Sequence, residues 1–133
     1  MKLPGGWALG IHIPQSGPLT PEAVDSSLLH ARTFFARHFP DKSAPVAVCA
    51  SWLLDPYLTD HLPQNANIVA FAGRFTPLAP PCDDATAALF FVFRTRDVHL
   101  LATLPRRTTL QRLVVDRAQN NELWQIGTGY MML

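Results

Sequence analysis

Hydrophobic and polar positions alternate over Trp7-Ala8-Leu9-Gly10-Ile11-His12-Ile13, which predicts a strand with Trp7, Leu9, Ile11 and Ile13 on one face and Ala8, Gly10 and His12 on the other. A loop over Pro14–Leu19 follows. Thr20-Pro21-Glu22 then opens a helix, with Thr20 as N-cap, Pro21 at the first helical position and an acid near the positive end of the dipole. Val24, Leu28, Ala31, Phe35 and Phe39 form its apolar stripe, and Pro40 stops it. Pro45–Ser51 is nearly all apolar, the pattern of a central strand covered on both faces. Strand, helix, strand in this order predicts a right-handed crossover with the two strands parallel.

Asp55-Pro56 begins a short helix ending near Leu62-Pro63, and Asn65 or Asn67 is expected to cap another that carries Ile68, Phe71 and Phe75, with Gly73 as terminator. Thr76–Ala85, with three prolines, reads as a loop and the most mobile stretch. Ala88–Arg94 and Val98–Leu104 read as two strands joined by a turn at Thr95-Arg96-Asp97. Thr108-Thr109-Leu110-Gln111 is a capping box, and the helix it opens buries Leu110, Leu113, Val114 and Ala118 before ending at Asn120-Asn121. Leu123–Tyr130 is the last strand, where Gly127 and Gly129 mark a bulge or a close backbone approach.

The 133 residues suit one domain spanning 1–133. A net charge of +1 gives no electrostatic case for nucleic acid, and no apolar run is long enough to span a membrane. No signal-peptide core appears near Lys2, so the expected location is cytoplasmic, with Cys49 and Cys82 as reduced thiols. No ligand set has metal spacing, so no metal is expected.

The chemistry centres on the first strand–loop–helix. A glycine-bearing loop feeding a helix N-terminus can cradle a phosphate at Gly17 to Ala23. Against this, Pro18 and Pro21 lack amide donors, and Glu22 and Asp25 already answer the dipole. His12, near the end of a strand, sits where an α/β protein opens its crevice and is a candidate general base, or else a histidine holding the loop in shape. Cys49 and Ser51 share a face of the second strand, so a Cys–His or Ser–His pair with His12 is a further option, without a nucleophile elbow to support it. Arg94, Arg96, Arg106 and Arg107 form a candidate basic rim.

Five segments in order resemble one family: Gly10-Ile11-His12-Ile13-Pro14 with Gly17-Pro18-Leu19-Thr20; Ser51-Trp52-Leu53-Leu54-Asp55-Pro56; Asn67-Ile68 with Phe71 and Arg74-Phe75; Leu104-Pro105-Arg106 with Thr109-Leu110-Gln111; and Gly127-Thr128-Gly129. The chain resembles the C-terminal domain of bacterial GNAT-like acyltransferase-domain proteins over nearly its whole length. That resemblance implies an α/β (α+β) fold, a mixed sheet flanked by helices, like the C-terminal half of a GNAT acyltransferase. It also implies acyl transfer from acyl-CoA, as co-substrate, to an amine of a small-molecule acceptor.

In that frame the first strand, loop and helix correspond to the acyl-CoA-binding unit. The second strand corresponds to the one splayed from it, with the pantetheine arm between. Gln15, Ser16, Gly17, Leu19 and Thr20 are then the candidate CoA-binding residues, although their sequence differs from the family's Q/R-x-x-G-x-G/A. His12 is the candidate base, and Ser51 or Tyr130 the candidate donor to the oxyanion or the departing thiolate. Members carry a further N-terminal domain, so the expected partner is that domain or a second copy in a homodimer. The alternative is a noncatalytic module that binds a ligand or a protein in the same crevice.

Overall fold

Three of the chain's apolar runs build the centre of a five-stranded mixed sheet, ordered β1-β2-β3-β5-β4. The computed structural model describes residues 1–14, 17–122 and 124–133. Strand β1 (Lys2–Leu3) turns back antiparallel onto β2 (Gly6–Gly10). Helix α1 (Pro21–His38) leads to β3 (Val46–Ser51), which runs parallel to β2 in the register Ala8–Val46, Leu9–Ala47, Gly10–Val48. Strand β5 (Gln125–Met132) lies between β3 and β4 (Thr76–Asp83), antiparallel to both. The parallel pairing and the mixed sheet are as expected, but β2 is shorter than Trp7–Ile13. Its pairing ends with the Ile11 amide donating to the Val48 carbonyl at 2.8 Å, beyond which the chain leaves the sheet.

Local signals explain most boundaries. The Thr20 hydroxyl accepts from the Ala23 amide at 3.2 Å to start α1, and Asp55 accepts from the Tyr57 amide at 2.9 Å to start α2 (Pro56–His61). The capping box at Thr108 and Gln111 is fully formed and opens α5 (Thr109–Gln119). Helix α3 (Asn67–Ala72) departs from expectation: Ala66 occupies its N-cap with no side-chain bond, so neither Asn65 nor Asn67 caps it. Phe71, buried against Val24 and Cys49, holds this helix in place instead.

Two stretches differ in kind. Ala88–Arg94 is not a strand: Ala87–Phe93 forms helix α4, and Arg94 is its C-cap. Short apolar runs carry no decisive period, and here Asp84 accepts from the Thr86 and Ala87 amides while Ala87, Ala88 and Leu89 bury against Trp52, Val114 and Trp124. Val98–Leu104 is likewise not a strand: Val98–Thr103 winds into a 3-10 helix that Asp97 caps through the His99 amide at 2.9 Å. Thr76–Ala85, expected as a loop, contains the edge strand β4. Its register shifts twice, between Pro77 and Ala79 and between Ala79 and Cys82, so prolines sit at an edge and at bulges where a missing amide is tolerated. The first residue of the expected last strand, Leu123, lies outside the described residues.

The core falls on both faces of the sheet. One cluster joins Trp52, Leu53, Leu58, Ala87, Ala88, Leu89, Val114 and Trp124, with Ile126 packed against it. The other joins Val24, Cys49 and Phe71 beneath α1 and α3. A buried ion pair sits beside the first cluster. Asp55, 1% exposed, accepts from Arg117 Nη1 at 2.7 Å and from the Gln125 amide at 2.9 Å. The Arg117 guanidinium lies 4.0 Å from the Tyr57 ring centroid and 4.5 Å from that of Trp124. One carboxylate thus ties α2, α5 and β5 together. Glycine is required where β5 passes the 3-10 turn Trp52–Leu54: a Cβ on Gly127 would fall 2.5 Å from the Leu54 carbonyl oxygen.

Gly127→Ala is therefore expected to cost about 3 kcal/mol of stability, whereas Gly10→Ala, whose methyl would meet only His12 Nε2 at 3.8 Å, stays within about 1 kcal/mol; urea unfolding of the two variants distinguishes them. Asp55→Ala leaves the Arg117 guanidinium with only the exposed Glu122 carboxylate, 3.8 Å away, and is expected to cost about 3 kcal/mol, and Asp55→Ala combined with Arg117→Met should cost less than the two single changes added.

Candidate functional site

The site begins where β2 and β3 part. Beyond Gly10 and Val48, β3 continues to Ser51 in partnership with β5, opposite Gly127, while Ile11–Pro14 diverges toward the N-terminus of α1. The Val48 carbonyl is the last group on that edge of β3 to receive an amide from the β2 side. Alternation along a strand turns the N–H and C=O of Ala50, two residues on, to the same edge. That edge forms one wall of a slot of about 650 Å³, and Ala50 is exposed.

The slot is lined as well by Ile11–Pro14, Gly17 and Leu19 of the diverging segment and by Trp52, Phe91, Val92, Arg94, Thr108 and Gln111. A second, largely apolar groove of about 330 Å³ opens on the α1 side, between Val24, Leu28 and Phe35 of the helix and Leu9, Ala47 and Met131 of the sheet. The two share Ile11–Pro14, so the diverging segment has a cavity on either hand.

His12 lines both the slot and the groove on the α1 side and is exposed. Its Nε2 stands where a Gly10 side chain would point, so it shares the face of Gly10, Val48 and Tyr130, which align across the three strands. Cys49 and Ser51 belong to the other face by alternation. The structure therefore does not pair His12 with Cys49, and burial pushes that thiol up to about 11, which leaves it protonated near neutral pH. Ser51 also lines the slot; its Oγ accepts from the Leu53 amide at 3.1 Å, and its hydroxyl hydrogen remains available to donate.

Tyr130 is half-buried on β5 opposite Val48, on the same face as His12 but outside the slot lining. Of the candidate CoA-binding residues, Gly17 and Leu19 line the slot, Thr20 is occupied as the α1 cap, and Gln15 and Ser16 lie outside the described residues.

The arginine rim resolves into separate roles. Arg106 pairs with Asp116 at 2.8 Å and with Gln119, and Arg96 bonds Thr86 at 2.6 Å with Asp84 3.7 Å away. Arg94 lines the slot. Arg74, which no charge pattern singled out, pairs with Asp25 at 2.7 Å and reaches the Pro21 carbonyl at 3.3 Å, joining the strand-side loop to the first turn of α1. Arg117 was hidden in the same way. A charged residue among Val114, Val115 and Ala118 on a buried helix face was its only sequence signal. Among the described residues no group of three or more His, Cys, Asp or Glu is placed to hold a metal ion, and no helix is long and apolar enough to cross a membrane.

A family model described as the GNAT-like C-terminal domain matches residues 1–131. Among solved structures, an acyltransferase in complex with decanoyl-CoA is 40% identical, with a TM-score of 0.86 over 93% of this chain and 39% of its own. An acyltransferase in complex with CoA and 10C-teicoplanin is 38% identical, with a TM-score of 0.87 over 95% of this chain and 41% of its own. An acyltransferase variant in complex with octanoyl-CoA is 39% identical, with a TM-score of 0.87 over the same shares. The chain thus spans about two-fifths of the length of these structures. No curated protein matches it.

Native-state alkylation tests the thiol assignment. At pH 8 iodoacetamide is expected to modify exposed Cys82 and spare buried Cys49, whose thiolate fraction is about a thousandth; both should react in denaturant, as read by intact-mass spectrometry.

Proposed function

Because the chain belongs to the family of GNAT-like C-terminal domains, we propose that it is the acyl-CoA-binding half of an N-acyltransferase. The parting of parallel β2 and β3 into a slot carries this reading. The pantetheine arm would lie along the free edge of β3, where the Ala50 N–H and C=O offer strand-like bonds, and the Gln15–Thr20 segment would lie against the phosphates.

In the reaction an amine nitrogen of a small-molecule acceptor bonds to the thioester carbon, the C–S bond breaks, and CoA leaves as thiolate. His12 in the slot lining would take the proton from the acceptor ammonium. A hydroxyl, from Ser51 in the slot or from Tyr130 on the face of His12, would donate a hydrogen bond to the developing oxyanion, pass its proton to the departing thiolate, and regain one from the nitrogen as the amide forms, leaving an amide and free CoA thiol. Holding thioester and amine in one crevice supplies the remaining advantage.

The single domain of 1–133 would act with a further N-terminal domain, or with a second copy as a homodimer, in the cytoplasm; that it covers only 39–41% of the related acyltransferases supports a further domain. A noncatalytic module that binds a ligand or a protein is the second reading, favoured by the departure of Gln15–Thr20 from the family's glycine signature.

Titration of the chain with decanoyl-CoA is expected to show saturable heat and to quench Trp52, which lines the slot. Ala50→Trp should weaken binding at least tenfold, while His12→Ala should leave it within about threefold. Saturable binding that Ala50→Trp does not weaken, or no heat up to millimolar ligand, defeats the proposal.

A further inference from the structure

The start of α1 is a poor phosphate cradle in this chain. Pro21 has no amide hydrogen, the Ala23 amide is taken by the Thr20 hydroxyl, and the Val24 amide by the Thr20 carbonyl at 3.0 Å. Glu22 and Asp25 add negative charge, and the nearby cation, Arg74, is committed to Asp25 and the Pro21 carbonyl. If the slot takes CoA, its phosphates need a cation from elsewhere.

Arg94 has the right position and an unusual backbone. It lines the slot together with Gly17 and Leu19 of the diverging loop and with Thr108 and Gln111 of α5. It caps α4 in the left-handed conformation, φ 62°, with its amide donating to the Phe90 carbonyl at 2.8 Å. Glycine or asparagine is the ordinary choice there, because a side chain costs energy. A long charged side chain held at such a position next to a cavity points to a use for that side chain. Among the described residues it has no carboxylate partner, only the Phe90 ring 6.0 Å from its guanidinium carbon. Arg96 and Arg106, by contrast, are each tied to an acid.

We propose that Arg94 binds a phosphate group of CoA in the slot that Gly17 and Leu19 also line. This rests on the acyl-CoA reading above and adds a cation, at the C-terminal cap of α4, to the phosphate contact of the loop before α1. The planar guanidinium, exposed on the slot, suits a phosphate or a pyrophosphate oxygen pair.

Arg94→Gly provides the test, because glycine relieves the left-handed backbone and leaves the cap intact, so the variant should melt no lower than the parent. CoA, dephospho-CoA and pantetheine are titrated into the parent, Arg94→Gly and Arg107→Ala; the last removes an equal charge from outside the slot lining. The expected result is a loss of roughly ten- to a hundredfold in CoA affinity for Arg94→Gly alone, no change with pantetheine, and a smaller deficit at high salt. A deficit that persists with dephospho-CoA assigns the contact to the pyrophosphate, and one that disappears assigns it to the 3′-phosphate. Equal CoA affinity in Arg94→Gly and parent, or an equal loss in Arg107→Ala, overturns the proposal while leaving acyl-CoA binding standing. A parent that binds none of the three removes both.

Discussion

The Asp55 carboxylate is the constraint around which the rest is arranged. It is almost wholly buried, yet it serves three partners from three elements: the Tyr57 amide that starts α2, the Arg117 guanidinium of α5 and the Gln125 amide that starts β5. A charge in such surroundings is tolerable only when it is paired and fully bonded. The aromatic rings of Tyr57 and Trp124 flank the guanidinium and exclude water from the pair. Removing Arg117 leaves the Asp55 charge buried without a cation, and removing Asp55 leaves Arg117 only Glu122 at 3.8 Å, so α2, α5 and β5 are fixed as a unit rather than one by one.

That unit sets the geometry of the slot. Asp55 follows directly on the Trp52–Leu54 turn, which begins where β3 ends, so anchoring the carboxylate anchors the end of β3 as well. The close passage of Gly127 against the Leu54 carbonyl oxygen keeps β5 against that turn on the other side. The end of β3 is therefore held by β5 and the core, and it does not follow β2 when the latter diverges after Gly10. The opening between parallel strands is a product of this one-sided restraint. His12 and Ser51 flank it on opposite faces of the sheet.

How much of this could be read from the sequence depended on whether a signal was local. Caps are local: Thr20, Asp55 and the Thr108–Gln111 box act within three residues, and all three opened helices where they were expected. The parallel strands were legible because Val46–Ser51 is apolar throughout and follows a helix. The run Ala87–Phe93 was not, because an unbroken apolar stretch fits a strand or a helix equally and the choice was made by Trp52, Val114 and Trp124, distant in sequence. Proline content suggested a loop over Thr76–Ala85, where edge position and bulges make proline compatible with a strand. In the site, His12 was singled out by its place near the end of a strand, and Ser51, Gly17 and Leu19 by the family resemblance; all four line the slot. Arg94 and Arg117 gained their settings from partners far along the chain: the rest of the slot lining for one, Asp55 for the other.

The outer margin of the sheet has a further consequence. Pro77, Pro80 and Pro81 leave β4 with gaps in its row of donors, and its two register shifts spoil the straight template that an incoming strand requires. A neighbouring molecule cannot readily extend the sheet from that flank. The domain can thus keep a solvent-facing strand of eight residues without inviting edge-to-edge fibre growth, even at the high local concentrations reached during synthesis.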